Sequence, residues 1–207
     1  MKTFVYVDAF NLYYGSAKGT PYKWLNINAL CKILLPQNSI ERIKYFTALV
    51  NPRPDDPGQP TRQQVYLRAL RTIPRLDIIY GHYLTHVVPM PVANPQPNQS
   101  PYIRVIRTDE KGSDVNLACH LLRDAHLGLF ECAVIISGDS DLKTPVVMVR
   151  NELNLQVGVI NPQKRPCRAL KDAATFYKHI RLAALQAAQF PVVLTDTMGT
   201  FNKPAIW

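Results

Sequence analysis

Short apolar runs rich in β-branched residues alternate with longer stretches of helical periodicity along this chain, which predicts βαβ units around a parallel sheet. Thr3–Val7 reads as a first strand and ends in Asp8. Trp24–Leu35 reads as a helix, with Leu30, Ile33 and Leu34 at helical spacing and Pro36 stopping it. Ile43–Val50 reads as a second strand running into Asn51-Pro52. Thr61–Arg71 reads as a helix that turns Val65, Leu67 and Leu70 inward and Arg62, Arg68 and Arg71 outward. Further strands are predicted at Asp77–Tyr83, Ala133–Ser137 and Gln156–Ile160, and further helices at Ser113–His126, Leu142–Leu153 and Ala169–Ala188.

Prolines interrupt this order in two places. Pro52, Pro54, Pro57 and Pro60 fall in one connection, and Pro89, Pro91, Pro95, Pro97 and Pro101 in another, so nine of the 17 mark two excursions from regular structure. The second excursion reads as an insertion over 86–107, with Tyr102–Arg107 returning as an edge strand or hairpin. The expectation is one α/β domain over 1–185, built on a mainly parallel sheet of about five strands. A tail over 186–207 has no periodicity and either packs across the domain or mediates self-association as a homo-oligomer.

Candidate chemistry gathers at the turns between strands and helices. Asp8 follows the first strand, with Asn11 three residues on; Asp139 and Asp141 follow the strand ending at Ser137; Lys111-Gly112-Ser113-Asp114 opens a helix. In parallel α/β sheets, functional groups converge beyond the carboxyl ends of the strands, where strand order reverses. Two unit charges about 4 Å apart repel by roughly 4 kcal/mol at an effective dielectric near 20. Carboxylates gathered in one crevice must therefore protonate, splay apart or hold a cation. Oxygen donors of this kind favour Mg²⁺ or Mn²⁺ over zinc. Taken singly, Asp114, Asp139 and Asp141 also suit helix starts for capping and dipole reasons. Asp8, directly after an apolar strand, is harder to explain that way.

Charge sharpens the choice of partner. With 24 Lys and Arg against 15 Asp and Glu, the formal net charge is +9, which favours polyanionic partners. Four widely spaced cysteines form no CxxC pair, which disfavours a zinc knuckle or a disulfide scaffold and suits a reduced, cytoplasmic setting. No apolar run approaches the roughly 18 residues of a membrane span, and Asp8 and Asn11 come too early for a secretory apolar region. Neither a GxGxxG nor a Walker A segment is present.

The segments Val5-Tyr6-Val7-Asp8-Ala9-Phe10-Asn11-Leu12-Tyr13-Tyr14-Gly15, Lys111-Gly112-Ser113-Asp114-Val115-Asn116-Leu117-Ala118 and Ser137-Gly138-Asp139-Ser140-Asp141-Leu142 together resemble the NYN domain family, a branch of the PIN-like nucleases. The resemblance extends to about Ile180. It implies a Rossmann-like, three-layer fold of PIN type, a Mg²⁺ or Mn²⁺ site and hydrolysis of RNA phosphodiesters. It also implies that Asp8, Asp114, Asp139 and Asp141 are metal ligands, directly or through water, and that Asn11 and Ser137 orient the site, with Ser137 beside the substrate. The chain departs from the family pattern where Leu142 replaces an aromatic residue and where Ala173-Ala174-Thr175 supplies no acid.

A nuclease crevice dense in carboxylates needs positive charge around it. Arg104, Arg107 and Lys111 lead into the turn before Asp114, with Lys111 placed to hold phosphate. Lys164, Arg165 and Arg168 follow the last predicted strand, and Tyr13, Tyr14, Tyr22 and Trp24 are candidates to stack unpaired bases. The leading expectation is a metal-dependent ribonuclease of endonucleolytic kind acting on single-stranded or structured RNA. The alternatives are a non-catalytic RNA-binding module on the same fold and a metal-dependent phosphatase.

Overall fold

Near-continuous apolar runs become central strands because helices cover both faces of the sheet. In β1 (Lys2–Asp8) every residue after Lys2 is buried. The computed structural model describes all residues except Pro97, so that part of the expected insertion lies outside the described residues. After β1 come α1 (Ala9–Leu12), α2 (Ile27–Leu34), β2 (Ser39–Thr47), α3 (Gln59–Arg71), β3 (Leu76–Tyr80), β4 (His82–Pro91), β5 (Tyr102–Lys111) and α4 (Ser113–His126). The chain continues through β6 (Cys132–Ile136), α5 (Lys143–Asn151), β7 (Gln156–Asn161), α6 (Arg168–Ala173), β8 (Phe176–His179) and α7 (Leu182–Ala187), and ends in β9 (Val193–Asp196) and β10 (Gly199–Asn202).

The main sheet has six strands in the order β3-β2-β1-β6-β7-β8, and all its pairings are parallel. The chain runs outward from β1 to one edge, then returns to lay β6 beside β1, so the switch point lies between those two strands. One face carries α2, α3 and α7, whose Leu30, Leu67, Leu70 and Leu185 pack on Val5, Val7 and Ile43. The other carries α4, α5 and α6, whose Leu117, Leu121, Val146 and Leu170 pack on Phe4, Tyr6 and Phe46. This is the three-layer α/β fold the sequence predicts, with one strand more.

The extra strand is β8, which breaks the expected helix over 169–188. Thr175 docks the segment on β7, its amide donating to the Val157 carbonyl at 2.7 Å and its hydroxyl accepting from the Val157 amide at 3.1 Å. The β-branched and aromatic run Thr175-Phe176-Tyr177 then continues as an edge strand. The proline-rich excursion is a long antiparallel ribbon, paired from His82↔Lys111 to Pro91↔Tyr102, so it spans more of the chain than 86–107. A two-stranded ribbon leaves outward amides free, which tolerates Pro89 and Pro91. The tail packs across α3: β9 and β10 pair, Phe201 is buried, Arg68 pairs with Asp196 at 2.7 Å, and its guanidinium lies 4.2 Å from the Phe201 ring centre. Among the described residues no helix is long and apolar enough to cross a membrane.

Candidate functional site

Neighbouring strands of the sheet end in buried polar side chains where an apolar residue would pack more cheaply. Thr47 closes β2, Asp8 closes β1, Ser137 follows β6 and Asn161 closes β7. Buried polar groups persist only when they are hydrogen-bonded, and Asp8, Ser137 and Asn161 belong to one connected set, joined through Asn11 and Gln163. Asp8 is 5% exposed; one carboxylate oxygen accepts from the Asn11 amide and the other from the Ser137 hydroxyl, each at 2.9 Å. The Ser137 oxygen in turn accepts from the Asp139 amide at 3.0 Å. The Asn11 side-chain oxygen accepts from the Gly138 amide and from Gln163 Nε2, both at 3.0 Å. The turn after β1 and the turn after β6 are thereby locked together across the switch point.

The third contribution arrives on α4. Gly112 holds φ at 92°, a left-handed conformation glycine adopts without strain, and this swings the chain from β5 into the helix. The helix start is satisfied by Glu110, whose carboxylate accepts from the Ser113 amide at 3.2 Å and the Ser113 hydroxyl at 2.7 Å. Asp114 stands in the first turn of α4, and α4 contacts the turn Ser140–Leu142. Lys111 is the last residue of β5 rather than part of the helical turn, and its side chain is exposed.

Burial pushes the Asp8 carboxyl up to about 6, and the nearby negative charges of Asp114 and Asp139 push the same way, against the hydrogen bonds from Asn11 and Ser137. Asp114 is also raised, by burial first and then by Asp139, Glu110 and Asp141. The carboxylates thus feel one another, but among the described residues no three His, Cys, Asp or Glu side chains stand close enough to hold a metal ion. Repulsion and local hydrogen bonds account for this: Asp139 turns one oxygen back to the Asp141 amide at 3.0 Å, and Asp141 is exposed.

Other expected site residues fall in different places. Ser137 is fully buried with its hydroxyl engaged on both sides, so it positions Asp8 rather than lying beside a substrate. Arg104 and Arg107 stand on the ribbon, and their odd spacing turns them to opposite faces, so Arg104 faces away from Arg107 and Lys111 and the three do not form one patch. Arg107 also pairs with Asp109 at 2.9 Å. Lys164, Arg165 and Arg168 are exposed in the segment after β7, where Asn161 Nδ2 holds the Arg165 carbonyl at 2.8 Å. Trp24 is no stacking platform: it is fully buried and donates from its indole to the Pro191 carbonyl at 2.8 Å. Tyr14 is 46% exposed, with the Lys18 ammonium 4.8 Å from its ring centre. Glu110, Asn161 and Gln163 were not legible as site residues, although Asn161-Pro162-Gln163 ends an apolar strand much as Asp8 does.

Beside this crevice lies a cavity of about 100 Å³, walled by Phe10, Tyr13, Tyr14, Tyr45, Tyr66 and Trp207.

Residues 2–182 match the model of the NYN domain. The chain belongs to the NYN domain family. Its nuclease-type, PIN-like class agrees with the strand order and with carboxylates at the switch point. This NYN domain is 30% identical over 236 aligned positions to 6-hydroxy-3-succinoylpyridine 3-monooxygenase HspA of Pseudomonas putida (strain DSM 28022 / S16), an alignment that covers all of this chain and 75% of that protein. In fold it is similar to the crystal structure of a protein of unknown function, VPA0982, from Vibrio parahaemolyticus RIMD 2210633. The TM-score is 0.56 at 16% identity, covering 87% of this chain and 93% of that one.

Gly138 carries a prediction for this NYN domain. A Cβ there would come within 2.5 Å of Asn161 Oδ1 and 2.9 Å of Gln163 Cγ, so Gly138→Ala must push apart the two turns that Asn11 bridges. Overpacking of this kind costs about 1–3 kcal/mol. Urea unfolding should show that loss, and any activity that depends on Asp8 should fall at least about tenfold because the turn carrying Asp139 moves.

Proposed function

We propose that this NYN domain is a metal-dependent endoribonuclease of the cytoplasm, hydrolysing RNA phosphodiester bonds. The observation that carries the reading is Asp8: a buried carboxyl at the end of a central strand, held on both oxygens, with Asp114 and Asp139 adding negative charge to it. Such an arrangement costs stability unless positive charge compensates it. The donor set is all oxygen, which fits Mg²⁺ or Mn²⁺; Asp8, Asp114 and Asp139 would hold the ion by closing up on it from their present separation, with the exposed Asp141 reaching it through water. When bound, such an ion supplies Lewis acidity, acidifying a water and offsetting charge on a phosphodiester.

The chain's own residues do the rest. Ser137 and the Asn11 amide fix the Asp8 carboxylate. Asn11 and Gln163 hold the two turns at a constant separation, which keeps reacting groups aligned. Lys111, Lys164, Arg165 and Arg168 line the approach and hold the polyanionic strand.

The sequence relationship to a protein named as a pyridine monooxygenase suggests a second reading, a small nitrogen heteroaromatic substrate, and the aromatic-walled cavity favours it. One assay separates these. Purified protein is incubated with end-labelled single-stranded RNA, with Mn²⁺, with Mg²⁺ or with a chelator. Internal cleavage that needs the ion and vanishes in Asp139→Asn is the expected result. Binding without cleavage would favour the RNA-binding module, turnover of small phosphate esters alone the phosphatase, and indifference to RNA the heteroaromatic reading.

A further inference from the structure

The segment after Asp8 has two sides of different chemistry. Asp8 and Asn11 face the turn after β6, while Phe10, Tyr13 and Tyr14, at spacings of three and four, line the cavity described above. Tyr45, Tyr66 and Trp207 also line it. Aromatic side chains in a core normally interdigitate and leave little space. These instead line a recess of about 100 Å³ that opens to solvent beside Tyr14, when a single water needs only about 10–15 Å³.

One polar group in the wall has no partner. Gln59 is among the lining residues, and its side-chain oxygen is buried and accepts no hydrogen bond among the described residues. A buried acceptor left unpaired calls for a donor. The occupant that satisfies the site has flat π-faces for tyrosine and tryptophan and an N–H for Gln59.

We propose that this cavity receives one unpaired nucleobase of the RNA strand whose backbone passes Asp8. The identification of the strand rests on the nuclease reading; the ring-binding chemistry of the cavity does not. Every base offers a stacking face, and the bases also carry ring or exocyclic N–H donors. Ala9 and Phe10 both line the cavity and directly follow Asp8 in the chain, so a base seated there belongs to a nucleotide close to the bond being cut.

The test uses the full chain carrying Asp8→Asn, in chelator, so that binding is read without cleavage. Isothermal titration compares a single-stranded hexanucleotide with its fully abasic counterpart, and adds uridine, adenosine and 3-hydroxypyridine as free ligands. The base-bearing strand is expected to bind at least tenfold tighter than the abasic one. Trp207→Ala and the near-isosteric Gln59→Leu should each remove about tenfold of that preference while leaving the abasic affinity unchanged. Circular dichroism melting of both variants checks that they are folded. Equal affinities for the two strands, or a base preference untouched by Gln59→Leu in folded protein, would overturn the proposal. So would binding of 3-hydroxypyridine without binding of either nucleoside. A chain that fails to cleave RNA can still pass this test, and a nuclease indifferent to base removal fails it alone.

Discussion

Asp8→Asn should abolish RNA cleavage and make the metal-free protein more stable at neutral pH. The loss of activity is expected to exceed a hundredfold, the scale seen when a group stabilising charge in the transition state is removed. The gain in stability follows from the raised carboxyl. A carboxyl whose folded pKa is about 6, against the ordinary 3.8, keeps its proton in the native state at pH values where the unfolded chain has lost it. Between those two values the native state binds more protons than the unfolded state, so stability falls as pH rises through that window and levels off above about pH 6. At about 1.4 kcal/mol per pKa unit, the buried charge costs on the order of 3 kcal/mol at pH 7. Asn keeps its one oxygen for the Asn11 amide and turns its NH2 toward the Ser137 oxygen, which then accepts instead of donating; it carries no charge, so much of that cost is recovered. Urea unfolding of both proteins in chelator, from pH 3 to 8, should show curves that nearly meet at the acid end, separate from about pH 4 and stay a constant distance apart above about pH 6. Adding Mn²⁺ should stabilise the native protein at pH 7 and leave Asp8→Asn almost unchanged, since binding to the folded state alone shifts unfolding by mass action. Parallel curves at all pH values would remove the physical basis for a cation at this site.

Much of this arrangement was legible because strand ends break a simple rule. An apolar run that terminates in a carboxyl, as Phe4–Asp8 does, marks a strand whose end is functional, and alternating βα order places two such ends at the switch point. Local pattern failed where a partner far along the chain decides the outcome. Ala169–Ala188 carries helical composition, yet hydrogen bonds from Thr175 to Val157 divert it into an edge strand. Trp24 lies close in sequence to Asp8, but its indole donates to Pro191, 167 residues away, and it belongs to the core. Glu110 gives no signal in the sequence, because its task of satisfying the start of α4 depends on the left-handed turn at Gly112. Lys178, a charged residue on the edge strand, donates to the Leu34 carbonyl at the end of α2 at 2.8 Å, a partner 144 residues away.

The largest stability effect is expected far from the carboxylates, at Asp124. This residue lies ten positions after Asp114 on α4, about 15 Å along the helix, and is fully buried. Its Oδ2 accepts from the Lys44 ammonium at 2.5 Å and from the Tyr6 hydroxyl at 2.8 Å, tying α4 to β2 and β1, while Oδ1 has no hydrogen-bond partner among the described residues. Burial, and then the charge of Asp124, drive the Tyr6 hydroxyl well above its ordinary pKa; burial, and then the Lys44 ammonium 3.2 Å away, hold His120 below its own. Asp124→Ala leaves the Lys44 charge buried and unpaired, and breaking a buried pair from one side costs about 3–5 kcal/mol. In a chain of this size that lowers the melting temperature by roughly 10 °C or more. Replacing both partners, with Lys44→Met and Asp124→Leu, should recover most of the loss, because the desolvation cost of both ions disappears together. Cleavage per folded molecule should change little in either variant at 20 °C, since Leu117 and Leu121 still pack the first half of α4 against the sheet and keep Asp114 in place. A double variant no more stable than Asp124→Ala alone would mean that the pair contributes net stabilisation here, and that α4 depends on charge rather than on packing to present Asp114.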